Sequence, residues 1–372
     1  MNSLYDIIGI PFGYLMSWIY ALVNNYGVAI ILFTVVTKLI LMPVNYKTQK
    51  NAARMRLLNP KLEKLRKSYK DNPQRLQQEQ QALYQQEGLN PMASCLPSII
   101  QMLLLFGVLD VVYKPLTHIF HFAKSIRNAA IGIASDLVGG SGISTSDLRS
   151  ELRVMEQLSL NPDKFNSIGD GFREKVLEFN DHFTVFGANL GKTRSLCPDS
   201  WKSESIILML IPFLAGAAQL LYTVYSQIYQ KKHNPTMQNM GCMNVMLYLM
   251  PVLSVWFAFQ VPAGVGYYWM WSSVFSLVIT VGLNFYFNDK RTVAINEKEK
   301  EKARIKAEKH PERKTFMQKM MEQQQLLEQQ QRGINPDGSK MSRSEMNKAN
   351  YDAVKEARKR MAEKYGDEYD ED

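Results

Sequence analysis

The sequence predicts an all-α integral membrane protein with five transmembrane helices, a cytoplasmic helical hairpin and an N-terminal interfacial helix. Several apolar stretches of about 17 to 24 residues carry almost no charge, and this length is needed to cross about 30 Å of hydrocarbon. The rest of the 372-residue chain is charge-dense, which brings the mean hydropathy down to −0.21. A soluble globular protein would instead distribute its apolar residues at helix or strand period.

The predicted spans follow the apolar stretches in chain order. They are residues 26–43, 95–112, 205–226, 243–261 and 264–287. Pro262 and Ala263 alone separate the last two spans, so these spans are expected to form a hairpin with a tight turn.

The N-terminal segment, residues 1–25, is apolar and contains no Lys or Arg. A secretory signal peptide carries basic residues ahead of its apolar core, so we expect this segment to be retained. Pro11, Trp18 and Tyr20 favour an interfacial helix that lies along the extracytoplasmic surface of the membrane. The alternative is that the segment is a further true span.

The segment between the first two spans, residues 44–94, contains ten basic and four acidic residues. Its apolar residues recur at helical spacing up to Asn72-Pro73, and a Gln-rich helix is expected from about Pro73 to Gln86. The segment is therefore predicted to be a helical hairpin outside the membrane. Six of its basic residues are candidate site residues: Arg54, Arg56, Lys61, Lys64, Arg66 and Lys67.

The remaining connections differ in charge. The loop 113–204 has balanced charges, contains the linker sequence Gly139-Gly140-Ser141-Gly142, and is expected to hold short helices around 146–158 and 170–182. Residues 227–242 form a short basic loop. The tail, 288–372, carries twenty basic and eighteen acidic residues in mixed order and is expected to be helical in pieces or disordered.

The basic residues beside the spans predict the orientation of the chain. The basic hairpin, the pair Lys231 and Lys232, and the pair Lys290 and Arg291 all fall on one side of a five-span arrangement. This side is expected to be the cytoplasm, which gives an N-out and C-in topology.

A lysine, Lys38, lies inside the first predicted span. A lysine at a helix centre costs about 2.5–3.5 kcal/mol on insertion scales. One interpretation is snorkelling, in which the ammonium reaches the interface along its four-carbon stem. The other is that Lys38 faces a water-filled cavity inside the bundle.

Polar and Trp residues in several other positions of the spans favour the second interpretation. The candidate groove residues that accompany Lys38 are Thr34, Thr37, Gln101, Gln219, Trp269, Trp271, Ser272 and Ser273. Thr34 lies four residues before Lys38, so the two share one helix face. Each polar residue alone could simply bind a neighbouring helix, but together they predict a shared hydrophilic groove. Asp110 lies toward the other side of the membrane and is not expected to pair with Lys38.

The sequence contains no set of residues typical of catalysis. None of the five histidines lies inside a predicted span, and no GxSxG, HExxH or Walker-type motif is present. The three cysteines, Cys95, Cys197 and Cys242, are far apart and lack metal-site spacing. We therefore expect no enzyme activity, metal or cofactor.

Four segments together resemble the YidC/Oxa/Alb family of membrane protein insertases. They are YGVAIILFTVVTKLILMPVNYKTQK at 26–50, NPKLEKLRKSYKDNPQRLQQE at 59–79, GLNPMASCLPSIIQMLLLFGVL at 88–109 and MPVLSVWFAFQVPAGVGYYW at 250–269. The resemblance covers roughly residues 20–112 and 205–287. As an ordered set the motifs are specific, whereas any one alone would be weak.

The resemblance implies a five-helix core in the bacterial plasma membrane, with a groove open to the cytoplasm and the lipid but closed on the outside. It also implies insertion of newly made membrane proteins without ATP hydrolysis, by a chain for which a monomer suffices. The family usually has arginine where this chain has Lys38, and often asparagine where it has Ser273. Lysine keeps the positive charge but lacks the bidentate fork, and a buried lysine can lose its proton.

The resulting hypothesis is that Lys38 attracts acidic residues in the outward-going segment of a substrate. The hairpin would guide the substrate and lie against anionic headgroups. The basic stretches Lys298–Lys314 and Lys355–Lys364 of the tail could contact ribosomal RNA, or the tail could be a solvated mixed-charge helix. The Sec translocon is a further expected partner. The alternatives are a secondary transporter or channel that uses Lys38 as its site, and a structural scaffold.

Overall fold

The computed structural model describes residues 4–89, 96–139, 142–169, 171–192, 202–233 and 241–309. These residues form fourteen α-helices, a short 3-10 turn and one two-stranded antiparallel hairpin. In chain order the elements are α1 (Leu4–Val23), α2 (Tyr26–Ile40), α3 (Met42–Arg56), α4 (Asn59–Ser68), α5 (Pro73–Gln86), α6 (Leu96–Tyr113), α7 (Pro115–His118), α8 (Lys124–Val138), α9 (Ser150–Leu160), α10 (Phe172–His182), β1 (Thr184–Val185), β2 (Ala188–Asn189), α11 (Ser203–His233), α12 (Gly241–Gln260), α13 (Ala263–Tyr286) and α14 (Asp289–Lys309). The chain is an all-α membrane protein.

The chain divides into two compact units, residues 1–299 and residues 300–372. All that follows concerns the first unit. In the second, the described residues continue α14 to Lys309, and Arg304 forms an ion pair with Glu301 at 2.9 Å. The predicted basic stretch 355–364 and the acidic end of the tail lie outside the described residues.

The apolar helices agree with a membrane protein by length and composition. Within the described ranges, α11 and α13 are long and apolar enough to cross a membrane, and α2 with α3 makes a third span if the bent pair counts as one. Shorter apolar helical stretches lie at Gly9–Val23, Ile99–Tyr113 and Leu249–Gln260. The predicted count of five spans stays a prediction.

The first predicted span, residues 26–43, contains a break in its helix at Leu41. The side chain of Asn25 accepts a hydrogen bond from the Val28 N–H at 3.0 Å and begins α2. The axis then bends by 54° between α2 and α3. Pro43 lies in the first turn of α3, where a residue without an N–H leaves no intrahelical bond unmade. Tyr46 packs its ring against Phe287, with centroids 5.1 Å apart, so α3 leans on the end of α13.

The predicted loop 227–242 is also corrected, because α11 continues as helix to His233. Nothing in the sequence between Gly216 and Pro235 breaks a helix. Tyr225, Tyr229 and His233 form a ladder at four-residue spacing, with ring centroids 6.1 Å and 4.3 Å apart. Lys231 and Lys232 lie in the last turn, where positive charge is favourable to the helix dipole.

Helices α4 and α5 pack on each other through a small apolar cluster. Leu58, Leu62 and Leu89 form its buried centre, and Leu83 and Tyr84 pack against them. The Gln-rich helix α5 has the bounds that the sequence predicts. The position of these two helices outside the membrane remains a prediction.

A folded loop domain, defined here as residues 113–192, follows α6. Helices α9 and α10 coincide closely with the two predicted short helices, whereas α8 is an addition that the sequence analysis missed. The predicted linker falls partly on residues 140 and 141, which lie outside the described residues. The core of the domain is aromatic: Phe165, Phe172, Phe179 and Phe183 are almost completely buried. Phe179 and Phe183 also contact Tyr26 at the start of α2, with centroids 5.6 Å and 4.6 Å apart, so the domain and the helix bundle share one core.

The loop domain also binds the turn between α12 and α13. The carbonyls of Leu190 and Lys192 accept hydrogen bonds from the N–H groups of Gly264 at 2.8 Å and Ala263 at 3.0 Å. Arg149 Nη2 donates to the carbonyl of Gln260 at 2.6 Å. Helix ends leave such backbone groups without intrahelical partners, so the domain caps the end of α12 and the start of α13.

Helix α1 approaches α6 and α7 closely because three contact positions are glycine. A Cβ added to Gly9 would meet the carboxylate of Asp110, one added to Gly13 would meet the ring of His118, and one added to Gly107 would meet Phe12. Asp110 is 1% exposed and its Oδ2 lies 2.6 Å from His118 Nε2, while Lys114 Nζ lies 2.6 Å from Oδ1. Asp110 is therefore bound locally, and its predicted separation from Lys38 is consistent with these contacts.

We expect Gly13→Ala to lower the melting temperature of the protein in detergent, measured by circular dichroism. The new methyl group would lie 2.8 Å from His118 Cγ and displace a ring that is bound to Asp110. Overpacking of this kind costs about 1–3 kcal/mol.

The matched control is Gly132→Ala in the interior of α8, where a new Cβ meets nothing within 4 Å. This change should leave the melting temperature unchanged or raise it, because alanine favours a helix over glycine by about 0.5–1 kcal/mol. Equal effects of the two substitutions would contradict the close-packing account.

Candidate functional site

Lys38 lies in the last turn of α2, just before the bend, and only 6% of its surface is exposed. Its Nζ donates to Gln101 Oε1 of α6 at 3.1 Å and to Ser276 Oγ of α13 at 2.8 Å. The ammonium is thus bound by two neighbouring helices. Snorkelling would instead leave it exposed beyond the helix end.

A polar cluster from three helices forms around this ammonium. Gln101 uses its oxygen to accept from Lys38 and its Nε2 to donate to Ser272 Oγ at 3.4 Å. Ser272 and Ser276 are four residues apart and therefore lie on one face of α13. Ser276 was not among the predicted site residues. The four-residue spacing from Ser272 is the signal that could have identified it.

Ser273 and Gln219 form a second polar contact, between α13 and α11. Ser273 Oγ donates to Gln219 Oε1 at 2.9 Å and also lies 3.0 Å from the Trp269 carbonyl. Successive helical residues point about 100° apart, so Ser272 and Ser273 serve different neighbours. The predicted residues of α13 are therefore divided between two clusters.

The two predicted threonines of α2 are bonded within their own helix. Thr34 donates to the carbonyl of Ile30 at 2.7 Å, and Thr37 lies 2.9 Å from the carbonyls of both Phe33 and Thr34. Both side chains are buried. A threonine hydroxyl that donates to a carbonyl of its own helix has its donor satisfied there. It therefore adds little polarity to a neighbouring cavity.

The predicted tryptophans lie beside the polar clusters. Trp271 stacks on Phe275 at 5.7 Å and meets the edge of Tyr267 at 6.3 Å. Trp269 is partly buried one turn before Ser273, to which it presents its backbone carbonyl. The aromatic rings place an apolar wall next to the serines of α13.

The partners of Lys38 are neutral. Among the residues that the structure describes, none of the carboxylates lies within ion-pair distance of Lys38, while Asp110 is bound to His118 and Lys114. An ammonium that is held by neutral dipoles in a poorly solvated place attracts anions more strongly than one in bulk water. Binding of a negatively charged group at this site stays a prediction.

Two of the candidate basic residues of the predicted hairpin are engaged inside the protein. Arg54 is 7% exposed and donates to Asn296 Oδ1 at 2.9 Å and to the Glu87 carbonyl at 3.0 Å. Arg56 donates to the Tyr229 hydroxyl at 2.7 Å and lies over the Tyr229 ring. Arg54 and Arg56 join α3 to α14 and α11, and contact of the hairpin with headgroups stays a prediction. Lys61, Lys64 and Lys67 are exposed, and Arg66 is partly exposed.

Metal binding has no structural support in the described part of the chain. Groups of three or more His, Cys, Asp or Glu side chains that could hold an ion do not occur there. Cys95 and Cys197 lie outside the described residues.

Comparison with known proteins gives a family for this arrangement. The family model for the 60Kd inner membrane protein matches residues 18–290, which is most of the chain. A membrane protein insertase YidC of Chlorobium limicola is 27% identical over 272 residues, 73% of this chain and 34% of that protein. The YidC of Chloroherpeton thalassium is 28% identical over 302 residues, 79% of this chain and 39% of that protein.

A shorter match has a higher sequence identity. The membrane protein insertase YidC of Granulibacter bethesdensis is 45% identical over 103 residues, 28% of this chain and 18% of that protein. The chain thus spans well under half the length of these relatives. The extent of the family match confirms the resemblance carried by the four motifs, and the chain belongs to the 60Kd inner membrane protein family.

Proposed function

We propose that the chain inserts newly made membrane proteins into a bacterial plasma membrane through a hydrophilic intramembrane groove that contains Lys38. The observation that carries the proposal is the buried ammonium of Lys38, which is bound to Gln101 and Ser276 between three helices. Intramembrane cations are costly and mark sites of function more often than sites of stability. The names of the related proteins support insertion as that function.

The proposed topology has five spans, with the N-terminus outside and the C-terminus inside. The spans are α2, α6, α11, α12 and α13. The basic residues of α3 to α5, the end of α11 and the start of α14 support the cytoplasmic assignment of these segments. Helix α1 is proposed to be interfacial, and an exposed apolar row on one of its faces supports lipid contact: Ile10, Tyr14, Trp18 and Leu22.

In the proposed mechanism, a substrate's acidic segment enters the groove from the cytoplasmic side. Lys38 attracts its carboxylates, because the local dielectric is lower than that of water. Polar groups in the groove lower the cost of moving this segment partway across the membrane. The apolar helix of the substrate then moves laterally into lipid, and its burial supplies the free energy of the step.

The pair of helices α4 and α5 is proposed to be a cytoplasmic hairpin that guides the substrate. Its exposed lysines Lys61, Lys64 and Lys67 would contact anionic headgroups, each with about 1 kcal/mol of attraction near the surface. Ribosomal RNA and the Sec translocon are further proposed partners. The chain is proposed to act as a monomer, without a cofactor.

We expect Lys38→Ala to impair insertion of a substrate with an acidic translocated segment in cells depleted of their own insertase. Lys38→Arg should retain insertion, because arginine restores the charge. Protease protection of the translocated segment measures the result. Full insertion by the alanine variant would refute the role of the charge.

Crosslinks from position 38 to ribosome-bound nascent chains separate an insertase from a transporter or a scaffold, which should give none.

We also expect the charge of Lys38 to contribute to function and not to stability. Lys38→Met keeps the stem and removes the ammonium, so the melting temperature in detergent should stay the same or rise. Gln101→Leu leaves the ammonium with one acceptor fewer and should cost about 1–3 kcal/mol of stability. A large loss of stability in the methionine variant would mean that the lysine serves the fold.

A further inference from the structure

The loop domain contains a cavity that the groove hypothesis does not use. Its volume is about 590 Å³, within the range of about 300–1,000 Å³ that is usual for ligand sites. Helix α9 lines it along its length, and α10, the β2 segment and Pro262 complete the wall. Met155 and Phe183 are buried beneath it and give it an apolar floor.

Three cationic side chains line this cavity, and two of them are in exposed ion pairs. Arg149, Arg153 and Lys192 line it, and Glu156 is the one carboxylate among the described lining residues. Arg153 lies 3.6 Å from Asp147 and Lys192 lies 2.9 Å from Glu204, and the side chains of Arg153 and Lys192 are 44% and 52% exposed. Ion pairs this exposed contribute about 0–1 kcal/mol. Both cations can therefore exchange an internal partner for the carboxylates of a ligand.

A row of neutral polar groups runs along the same wall. Asn180 Nδ2 donates to Ser159 Oγ at 2.6 Å, and Asn189 Nδ2 donates to Asn180 Oδ1 at 3.0 Å. Asn189 Oδ1 in turn accepts from the Gly191 N–H at 2.8 Å. These bonds fix the orientation of the amides. Fixed amides and a hydroxyl suit the alternating donors and acceptors of an extended peptide backbone.

The cavity lies at the end of the bundle opposite the bend in α2. Phe183 on its floor contacts Tyr26 at the start of α2, and Pro262 on its wall begins α13. Lys38 is twelve residues beyond Tyr26, or about 18 Å along the helix axis. An extended chain covers this distance with about five or six residues. A short extended segment is therefore long enough to reach from Lys38 to the cavity.

We propose that this cavity binds an acidic, extended polypeptide segment, namely the translocated segment of a substrate after it has passed Lys38. The inference rests on the proposed function. A peptide is favoured over a small anion because Arg149 and Arg153 are a helical turn apart, and because fixed amides occupy the same wall. The cavity therefore acts as a receiving site that holds the emerging segment.

The test uses the full chain in neutral-lipid nanodiscs and a fluorescent peptide with alternating Asp residues, with an Asn version for comparison. Fluorescence anisotropy should show at least tenfold tighter binding of the Asp peptide, weakened by salt. The double variant R153Q/K192Q should lose at least tenfold. The matched control Arg173→Gln removes a cation of the same domain that does not line the cavity, and should bind as the unmodified chain does.

Three results would overturn the proposal. They are equal binding of the Asp and Asn peptides, undiminished binding by R153Q/K192Q, and displacement of the peptide by inorganic phosphate at equal concentration. The last would assign the cavity to a small anion. Melting temperatures of the variants should match that of the unmodified chain, because both substituted side chains are exposed.

Failure of this inference can be told apart from failure of the groove hypothesis. Insertion by Lys38→Ala and peptide binding by R153Q/K192Q are measured separately, because Lys38 does not line the cavity. If the peptide fails to bind and Lys38→Ala still impairs insertion, only the receiving site is wrong. If the peptide binds and Lys38→Ala inserts normally, the groove charge is wrong and the cavity remains a peptide site.

Discussion

The hydrogen bonds of one ammonium constrain much of the bundle. A cation that cannot reach water must be solvated by the protein, and Lys38 obtains this solvation from Gln101 of α6 and Ser276 of α13. These two helices therefore have to approach α2 at the level of its last turn. Just beyond this turn the chain bends at Leu41, and α3 packs on the end of α13. The polar cluster, the bend and the position of the basic segment are thus linked.

Most of the helices could be predicted from the sequence, because a helix depends mainly on residues that are neighbours along the chain. The bounds of α5 and the approximate bounds of α6, α12 and α13 follow from apolar periodicity and from Pro and Gly positions. Helix α8 was missed although Ala130, Ile131 and Ala134 form a buried face at helical spacing, so its signal was present in the sequence. The continuation of α11 was missed because basic residues were interpreted as a loop, although they suit the end of a helix.

The partners of the site residues depend on tertiary packing, so their sequence signals are weak. Arg54 has the appearance of a solvated charge in the sequence, yet its partners are 33 and 242 residues away. Gly9 and Gly13 let α1 pack directly over the Asp110–His118 pair, a close approach that the sequence does not reveal. Lys38 itself was identifiable, since a charge within an apolar stretch is conspicuous. Its acceptor Ser276 had only the weak signal of its four-residue spacing from Ser272, because serine is common in membrane helices for other reasons.

The caps that the loop domain places on α12 and α13 have a consequence for assembly. Residues 113–192 are synthesised before the last two helices, and their carbonyls at Leu190 and Lys192 are the acceptors for the first N–H groups of α13. The last helical pair therefore docks onto a template that must already be folded. In the proposed orientation that template lies across the membrane from the ribosome, so biogenesis of this protein requires export of the loop domain before the bundle can close.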